Sequence, residues 1–485
     1  MSGMLLHPDE CYRAWAARDT RFDGRFYTGV TSTGIYCRPV CTARLPRPEH
    51  CRFFPSAAAA EAAGFRPCLL CRPERAPGLS PVEAGARLAD AAAVLIAEGA
   101  LEDGGLAALG ERLGVSARHL RRVFRERYGV APVAYAQTRR LLLAKALLTD
   151  TAMSVTDVAY ASGFSSLRRF NALFASRYRL SPSALRRERG ETATSPDVAV
   201  LELGFRPPYD WQGLLGFLGP RAVAGVETTE AGWYRRTLRL RRRDRAHDGW
   251  LAATTAEGKN ALRLEVAAGL LPVLPMVLAR ASHLFDLGCD PEAVAKGLGE
   301  LASGHEGVRL PGAADGFETA VRAILGQQVT VAAARTLAGR FAAAFGEPVA
   351  TPHDGLTTLF PEPATVAELS QDAVASLGVI ASRARAIIAL ARAVRDGGLV
   401  LAPTADLGAS LDALRALPGV GEWTTQYVAM RVLGWPDAFP HSDGGVKKAL
   451  AENDPRRILD LAEAWRPWRA YAVMHLWRTL HGGDA

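Results

Sequence analysis

Residues 414–431 read LRALPGVGEWTTQYVAMR, in which two segments with helical apolar spacing flank a Pro-Gly-Val-Gly turn. Gly419 and Gly421 have no side-chain bulk, so backbone amides at this turn can approach a phosphate closely. A Gly- and Pro-containing loop follows and ends at Asp443, where another helix is predicted to begin. This pattern predicts a helical hairpin that contacts nucleic acid. The alternatives are a tight helical corner without DNA and an aspartate that only caps its helix.

The regions around the hairpin indicate a multidomain α+β protein. Helical periodicity extends from about residue 271 to the C-terminus, as in ETAVRAILGQQVTVAAARTLAGRF (318–341). Between residues 198 and 270, short alternating runs such as WYRRTLRL (233–240) predict a small domain of antiparallel strands. Residues 188–197 are polar and lack periodic apolar positions, so they are predicted to be a linker.

Four cysteines cluster near the N-terminus. Cys37 and Cys41 form one close pair, and Cys68 and Cys71 form a second pair 27 residues after Cys41. This spacing is typical of a tetrahedral thiolate site for one Zn²⁺. By itself the spacing favours a structural zinc site over a reactive one. The remaining cysteines, Cys11, Cys51 and Cys289, are interpreted as ordinary thiols.

The segment between the cysteines and the linker contains two related helix-turn-helix patterns. In residues 106–124 a glycine turn at Gly114 precedes Ser116, a predicted N-cap, and an arginine-rich helix. Residues 155–170 repeat the pattern with a turn at Gly163. One copy is weak support, because any helical hairpin can imitate it, but two copies could read adjacent segments of the major groove. The predicted DNA-contacting arginines are Arg118, Arg121, Arg122, Arg168 and Arg169.

Composition and charge agree with a DNA-binding protein that has several domains. The chain has 485 residues, 49% hydrophobic and 22% charged, which is typical of folded globular proteins of about three or four domains. Residues 1–190 contain 28 basic and 17 acidic residues, and the remainder contains 30 and 33. The positive charge therefore belongs to the N-terminal part, as expected for phosphate binding. No secretory or membrane-spanning segment is recognised, so a cytoplasmic protein without a membrane partner is expected.

The cysteine region resembles the N-terminal domain of the Ada alkylation-response family over roughly residues 7–76. The resemblance is carried by STGIYCRPVCTARLPRPEHCRFF (32–54) and AAGFRPCLLCRPE (62–74). It implies that Cys37 is both a zinc ligand and the acceptor of a methyl group from DNA methylphosphotriesters, with Cys41, Cys68 and Cys71 as the other ligands. Methylation would remove one negative charge beside a polyanion and so strengthen DNA binding. The arginines expected to hold the neighbouring phosphates are Arg38, Arg44 and Arg47.

The helix-turn-helix pair resembles the AraC-type DNA-binding domain over roughly residues 83–187, most clearly in GFSSLRRFNALFASRYRLSPSALRR (163–187). In the Ada family this domain follows the zinc module, so the order implies a transcriptional regulator that binds promoter DNA, with RNA polymerase as a candidate partner. Ada proteins with a second methyl acceptor contain a Pro-Cys-His-Arg sequence. This chain does not contain it, so repair of O6-methylguanine is not expected.

The C-terminal half, roughly residues 198–482, resembles AlkA, a 3-methyladenine glycosylase of the helix-hairpin-helix superfamily. Besides the hairpin, the resemblance is carried by LGFLGPRAVAGVE (215–227), HLFDLGCDP (283–291), VRAILGQQVTVA (321–332) and WRPWRAYAVMHLW (465–477). It implies that Asp443 stabilises the oxocarbenium-like charge formed as a flipped base leaves. It also implies a pocket for cationic alkylated purines lined by Trp423, Tyr427 and Trp477, which could otherwise be ordinary core aromatics.

Two departures refine the expected chemistry. AlkA inserts a leucine into the gap left by the flipped base, and the aligned residue here is Gln328. Glycosylases that also cut the strand have a lysine at the hairpin position of Trp423, and many have four cysteines for an iron–sulfur cluster near the C-terminus. This chain has neither feature. A monofunctional glycosylase that leaves an abasic site is therefore expected.

The leading hypothesis is a monomeric Ada–AlkA fusion that binds damaged and promoter DNA. One rival is a transcriptional regulator whose glycosylase fold is catalytically inactive. Another is an active glycosylase with a purely structural zinc site. The predicted regions are a zinc module of α/β type (1–78), an all-α double helix-turn-helix domain (79–187), the linker (188–197), an antiparallel-sheet domain (198–270) and a helical helix-hairpin-helix glycosylase domain (271–485).

Overall fold

A computed structural model of the chain describes residues 7–77, 87–102, 104–189, 198–242 and 244–480. It confirms a multidomain α+β architecture, with small sheets in two regions and helices elsewhere. The boundary predicted near residue 78 and residues 190–197 of the predicted linker lie outside the described residues. The last helix of the second region continues to Arg189, two residues into the predicted linker.

The first region is a four-stranded mixed sheet in the order β3-β1-β2-β4, flanked by two helices. β2 pairs in parallel with β4, and Tyr36 lies opposite Pro67. The residues that follow this pair, Cys37 and Cys68, therefore lie at the same edge of the sheet. The elements are α1 (Pro8–Ala16), β1 (Tyr27–Val30), β2 (Ile35–Cys37), β3 (Cys51–Phe54), α2 (Ala57–Ala62) and β4 (Arg66–Pro67).

In the described residues of the second region there are seven α-helices, and two of them repeat one burial pattern. α5 buries Leu120, Phe124 and Tyr128, and α8 buries three aromatic residues with the same spacing of four. This spacing places one apolar stripe along each helix and leaves the arginines on the opposite face. The helices are α3 (Arg87–Ala97), α4 (Gly105–Arg112), α5 (Ala117–Tyr128), α6 (Pro132–Asp150), α7 (Val155–Ala161), α8 (Leu167–Tyr178) and α9 (Pro182–Arg189).

The third region is a five-stranded antiparallel sheet in the order β5-β9-β8-β7-β6, with one helix between its first two strands along the chain. The sheet agrees with the strand pattern in the sequence. Its elements are β5 (Val198–Gly204), α10 (Trp211–Leu218), β6 (Glu227–Glu230), β7 (Trp233–Arg242), β8 (Arg245–Thr255) and β9 (Ala261–Ala267).

The fourth region is helical, with a small two-stranded ladder. In the described part of the chain, no helix combines the length and apolarity needed to cross a membrane. Its elements are α11 (Leu274–Leu284), α12 (Pro291–Leu298), α13 (Gly316–Leu325), α14 (Val331–Phe345), β10 (Glu347–Pro348), β11 (Thr358–Leu359), α15 (Pro363–Ala367), α16 (Gln371–Ala375), α17 (Ala381–Arg395), α18 (Leu407–Arg415), α19 (Glu422–Arg431), α20 (Gly444–Leu450), α21 (Pro455–Ala462) and α22 (Arg469–Thr479).

The regions pack against one another. One continuous hydrophobic core extends from α6–α9 through the five-stranded sheet into the helical region. The zinc module also contacts the C-terminal half directly, because Arg75 Nη1 lies 2.6 Å from Glu202 Oε2 on β5 and Arg21 Nη1 lies 2.8 Å from Glu292 Oε1 on α12. Close packing explains the glycine at the end of β5, since a Cβ at Gly204 would overlap the carbonyl oxygen of Arg75.

Candidate metal centre and base-excision pocket

The fold brings the four clustered cysteines together. Cys37 ends β2, Cys68 follows β4, and the sulfur atoms of Cys37, Cys41, Cys68 and Cys71 all lie within 4.8 Å of one another. In a tetrahedral site with Zn–S bonds of about 2.3 Å, the sulfurs are about 3.8 Å apart. Four soft sulfur ligands at such short separations select zinc over magnesium or calcium. The four cysteines therefore fit one Zn²⁺.

The surroundings of the sulfurs shield them from water. Cys37, Cys41 and Cys68 pack with Trp15 and Val30, and Cys37 is 4% exposed. Cys71 is the most exposed of the four and accepts a hydrogen bond from the Arg38 amide at 3.3 Å. Hydrogen bonds that the Cys37 thiol donates to the other cysteines, Cys41 first, raise the pKa of Cys37, whereas the hydrogen bond that Cys68 accepts from Cys37 is the first cause that lowers the pKa of Cys68. A divalent cation bound by the four sulfurs would hold them as thiolates.

The three arginines predicted to hold phosphates beside this centre lie in different environments. Arg44 and Arg47 are exposed. Arg38 instead turns inward, where its guanidinium pairs with Asp23 and donates to the carbonyl oxygen of Cys71 at 3.0 Å. In this structure Arg38 braces the loop that carries Cys71, and its contact with a DNA phosphate stays a prediction.

The two predicted recognition helices expose their arginines. Ser116 caps α5 by accepting from the His119 amide, and Ser166 caps α8 by accepting from the Arg169 amide. Gly114 and Gly163 have φ of +68° and +85°, which explains glycine in both turns. The predicted contact residues Arg118, Arg121, Arg122, Arg168 and Arg169 are all exposed, and Arg122 pairs with Glu126.

The hairpin of the C-terminal half joins α18 to α19. Gly419 has φ of +79°, and a Cβ there would lie 3.2 Å from the Cβ of Ala386. At Gly421 no atom lies within 4 Å of the Cβ position. The backbone at the start of α19 is therefore open at Gly421, which leaves room for a phosphate to approach.

Gln327 ties the hairpin to the loop between α13 and α14. Its side-chain amide donates to the carbonyl oxygen of Gly419 at 3.0 Å and to Thr424 Oγ1 at 2.9 Å. The next residue, Gln328, is exposed and has φ of +52°, a left-handed conformation that is uncommon outside glycine. The residue predicted to enter the duplex thus protrudes from a loop fixed to the hairpin.

Asp443 begins α20 and accepts four hydrogen bonds. Its Oδ1 accepts from the amides of Gly445 and Val446, at 2.8 and 3.0 Å, and from Trp477 Nε1 at 2.9 Å. Its Oδ2 accepts from Trp423 Nε1 at 2.9 Å. The aspartate therefore is an N-cap, as the simpler interpretation expected. It is also held by both predicted pocket tryptophans, which fixes the carboxylate between two aromatic rings.

The three predicted pocket aromatics adjoin one another. The rings of Trp423 and Tyr427 stack with centroids 5.3 Å apart, and Tyr427 lies 6.4 Å from Trp477. Trp477 approaches the start of α20 closely, because a Cβ at Gly445 would lie 2.8 Å from its ring. Asp443, Trp423, Tyr427 and Trp477 are called the base pocket below.

The structure adds three residues that the sequence interpretation did not select. Phe217, at the end of α10, stacks on Trp477 with centroids 5.9 Å apart and planes 12° from parallel. Arg221 lies 4.0 Å and Arg431 4.9 Å from the Phe217 ring centroid. In the sequence Phe217 belongs to the apolar face of a short helix, so only packing between distant segments reveals its position. The run LGFLGPRAVAGVE (215–227), used for the resemblance, was the available signal.

Several guanidinium groups give the base pocket a positive environment. Arg431 Nη1 donates to the Tyr427 hydroxyl at 2.8 Å. Burial alone would raise the pKa of Tyr427, but Arg431, Arg221 and Arg322 outweigh burial and lower that pKa below its ordinary value. The cations therefore act on the pocket itself.

Four sequence families match successive parts of the chain, and the third of them extends from the five-stranded sheet into the helical region. The matches are "Metal binding domain of Ada" at residues 10–74, "Helix-turn-helix domain" at 109–188, "AlkA N-terminal domain" at 200–315 and "HhH-GPD superfamily base excision DNA repair protein" at 321–454.

Similar proteins cover the whole chain or its parts. The chain is 40% identical over 491 residues, 98% of its length and 97% of the relative, to a probable bifunctional transcriptional activator/DNA repair enzyme AlkA of Mycobacterium tuberculosis. It is 39% identical over 279 residues, 57% of its length and 96% of the relative, to DNA-3-methyladenine glycosylase 2 of Escherichia coli. A 3-methyladenine DNA-glycosylase structure from Archaeoglobus fulgidus aligns with a TM-score of 0.50, 18% identity, and coverage of 58% of this chain and 98% of that one, which shows a shared fold.

Proposed function

Because the chain belongs to the family of bifunctional transcriptional activators and DNA repair enzymes that join Ada-type and AlkA-type domains, we propose that it excises alkylated bases from DNA and regulates the response to alkylation. The C-terminal half is a base-excision glycosylase of the HhH-GPD superfamily. The observation that carries the proposal is Asp443, held between two tryptophans beside a hairpin that leaves Gly421 open. The substrates of this glycosylase are 3-methyladenine and 7-methylguanine in duplex DNA.

Excision follows from the geometry of the base pocket. The hairpin amides hold the backbone while the target nucleotide leaves the stack, and Gln328 fills the gap that the base vacates. Trp423, Tyr427 and Trp477 stack on the flipped base. As the glycosidic bond breaks, its electrons go to the base, and the Asp443 carboxylate stabilises the positive charge on the sugar. Water then attacks C1′, loses a proton to the solvent and leaves an abasic site. An N-alkylated purine already carries positive charge, so it departs without a general acid.

Base release by the full chain tests this proposal. The substrate is a duplex with a single 7-methylguanine, and Asp443→Asn is compared with Asp454→Asn, which changes another N-cap aspartate at the start of α21. Asp443→Asn should keep duplex binding and lose excision by orders of magnitude, whereas Asp454→Asn should excise normally. If the intact protein binds the duplex and releases no base, the chain is a regulator with an inactive glycosylase fold.

The zinc module acts as a stoichiometric methyl acceptor in this proposal. Cys37, Cys41, Cys68 and Cys71 would hold the zinc ion, which when bound keeps the sulfurs as thiolates. The Cys37 sulfur attacks the methyl carbon of a methylphosphotriester. A C–S bond forms, the C–O bond breaks, and the phosphate keeps the electron pair as an ordinary diester anion. The thioether is permanent, and the lost negative charge strengthens DNA binding.

Peptide mass spectrometry tests the acceptor after incubation with methylphosphotriester DNA. One methyl group is expected on Cys37 and none on Cys71, although Cys71 is the more exposed sulfur. DNA affinity should rise after methylation. Methyl on no cysteine, with zinc still bound, would leave the cluster purely structural.

The regulatory part rests on the paired recognition helices. α5 and α8 read promoter DNA with their exposed arginines, and RNA polymerase is the partner recruited there. The protein acts as a monomer in the cytoplasm. Arg168→Ala combined with Arg169→Ala should weaken promoter binding and leave base excision on a short duplex unchanged. Equal loss of both activities would contradict separate DNA sites.

A further inference from the structure

Arg221 lies beside the base pocket, close enough for the charges of Tyr427 and Asp443 to act on its pKa. It ends a short 3-10 turn, Gly219–Arg221, that follows α10, and its guanidinium covers the Phe217 ring at 4.0 Å. Phe217 in turn stacks on Trp477, whose indole N–H binds Asp443. A chain of contacts therefore joins this guanidinium to the carboxylate across one wall of the pocket.

The Arg221 guanidinium has unused hydrogen-bonding capacity. Its Nη1 donates to the carbonyl oxygen of Phe217 at 3.0 Å. Among the described residues, no acceptor is bound to its Nε or Nη2 and no carboxylate pairs with it. Burial is the main cause that lowers its pKa, but arginine starts so far above neutral pH that the group stays charged. A half-buried cation with two available donors can bind an acceptor that a ligand brings.

A buried ion network fixes the backbone at this point. Arg322 Nη2 donates to the carbonyl oxygen of Arg221 at 2.6 Å. The other terminal nitrogen of Arg322 lies 2.9 Å from a carboxylate oxygen of Glu227 and 2.8 Å from one of Glu318. Arg236 pairs with the same two carboxylates, so both are satisfied without Arg221. The network therefore holds the turn in place and leaves the Arg221 side chain uncommitted.

The charges around the pocket favour some bases over others. Arg221 and Arg431 both lie over Phe217, so a cationic base that binds next to this wall of the pocket is repelled by two positive groups. A cationic alkylated purine needs no help to leave. A neutral purine does, because the electrons of the broken bond put negative charge on its ring nitrogens and oxygen. A guanidinium that donates to one of those atoms stabilises that charge.

We infer that Arg221 is a specificity-determining residue, which donates a hydrogen bond to an acceptor atom on the ring edge of a neutral flipped purine. It thereby raises excision of neutral purines relative to cationic alkylated ones. The inference rests on the proposed glycosylase activity and deepens it. No proton is transferred, since arginine keeps its charge while the base leaves with the bonding electrons.

The test compares two bases and three variants of the full chain. The bases are hypoxanthine, which is neutral and has ring-edge acceptors, and 7-methylguanine, which is cationic, each placed singly in the same duplex. Arg221→Met keeps an apolar side chain over Phe217 and removes charge and donors, and Arg221→Lys keeps the charge without the planar fork. The matched control is Arg263→Met, which changes an exposed sheet arginine paired with Glu265.

Arg221→Met should lower the single-turnover excision rate for hypoxanthine about tenfold to a hundredfold and leave the rate for 7-methylguanine unchanged or higher. Arg221→Lys should excise hypoxanthine at a rate between those of the intact protein and Arg221→Met. Arg263→Met should match the intact protein on both bases. Equal loss on both bases, or no loss on hypoxanthine, overturns the inference. So does an intact protein that releases only 7-methylguanine. If the intact protein releases neither base, the glycosylase activity itself is wrong.

Discussion

The side chain of Asp443 has two roles in one geometry. It satisfies backbone amides at the start of α20, and it accepts from Trp423 and Trp477. A cap usually leaves the carboxylate free to rotate, but four donors hold this one in a single orientation. The capping role therefore supports the proposed catalytic role, because a fixed carboxylate needs little reorganisation as charge develops on the sugar.

Trp477→Phe tests whether the indole N–H matters separately from the ring. Phenylalanine keeps an aromatic face for Phe217 and loses the donor to Asp443 Oδ1. A charge-assisted hydrogen bond contributes about 1.5–3 kcal/mol, so single-turnover excision of 7-methylguanine should slow by about tenfold or more. A rate equal to that of the intact protein would show that the amides of Gly445 and Val446 suffice.

Asp286 predicts how stability changes with pH. Burial raises the pKa of this carboxyl from 3.8 to about 6, and its Oδ2 accepts from the Leu310 amide and the Tyr471 hydroxyl. The folded protein therefore keeps a proton that the unfolded chain has lost. The free energy of unfolding should fall by up to about 3 kcal/mol as the pH rises from about 4 to 6, and change little above that for this group.

Asp286→Asn should flatten this pH dependence, because asparagine keeps an acceptor and does not titrate. Its backbone φ of +50° also suits asparagine. Thermal unfolding of the full chain at several pH values measures the effect. An unchanged slope in the variant would assign the dependence to other groups.

Among the elements, the hairpin between α18 and α19 offers a matched pair of glycine variants. Gly419→Ala places a Cβ at φ of +79° and 3.2 Å from Ala386, so it should cost about 1 kcal/mol or more of stability. Gly421→Ala meets no atom within 4 Å and should fold normally. Its methyl group would occupy the space proposed for a phosphate, so duplex affinity should fall. The measurements are thermal unfolding and duplex binding for both variants. Unchanged affinity in Gly421→Ala would place the phosphate elsewhere.

The local elements could be predicted from the sequence because their signals are local. Ser116 and Ser166 cap helices that the spacing of apolar residues indicated. The two cysteine pairs predict one metal centre without any knowledge of the sheet. The ion pair of Arg38 is a feature that such local signals do not reveal. An arginine beside a zinc ligand suggests a phosphate contact, but its partner Asp23 lies 15 residues away in a different loop. For the same reason the sequence did not reveal Phe217 and Arg221, because their neighbours Trp477 and Arg322 are distant in sequence.

At the scale of the whole molecule, buried ion pairs join the zinc module to α6. Arg72, directly after the ligand Cys71, pairs with Asp150 at 2.7 Å and donates to Thr149 Oγ1 at 2.8 Å. Glu74 lies 2.6 Å from Lys145 Nζ, and both side chains are almost fully buried. Next along the chain, Arg75 contacts Glu202 on β5. Three residues within 72–75 therefore connect the metal centre with α6 and with the five-stranded sheet.

Lys145→Met tests this junction. Removing the lysine leaves the Glu74 carboxylate buried with only Arg72 as a charged partner, so stability should fall by about 3 kcal/mol. Adding Glu74→Gln should recover part of the loss. Thermal unfolding and zinc retention of the single and double variants give the coupling energy. Additive losses would show that the two residues do not interact.

The shared core between α6–α9 and the five-stranded sheet holds these two parts of the chain in one fixed arrangement. Helix α8, proposed to read DNA, and the base pocket, proposed to excise bases, both pack on this core, so they keep one separation and one relative orientation while the core is intact. A duplex bound at one of these two sites can therefore reach the other only at one distance along the duplex axis and at one rotation about that axis. Sites at any other spacing must be served by a different duplex.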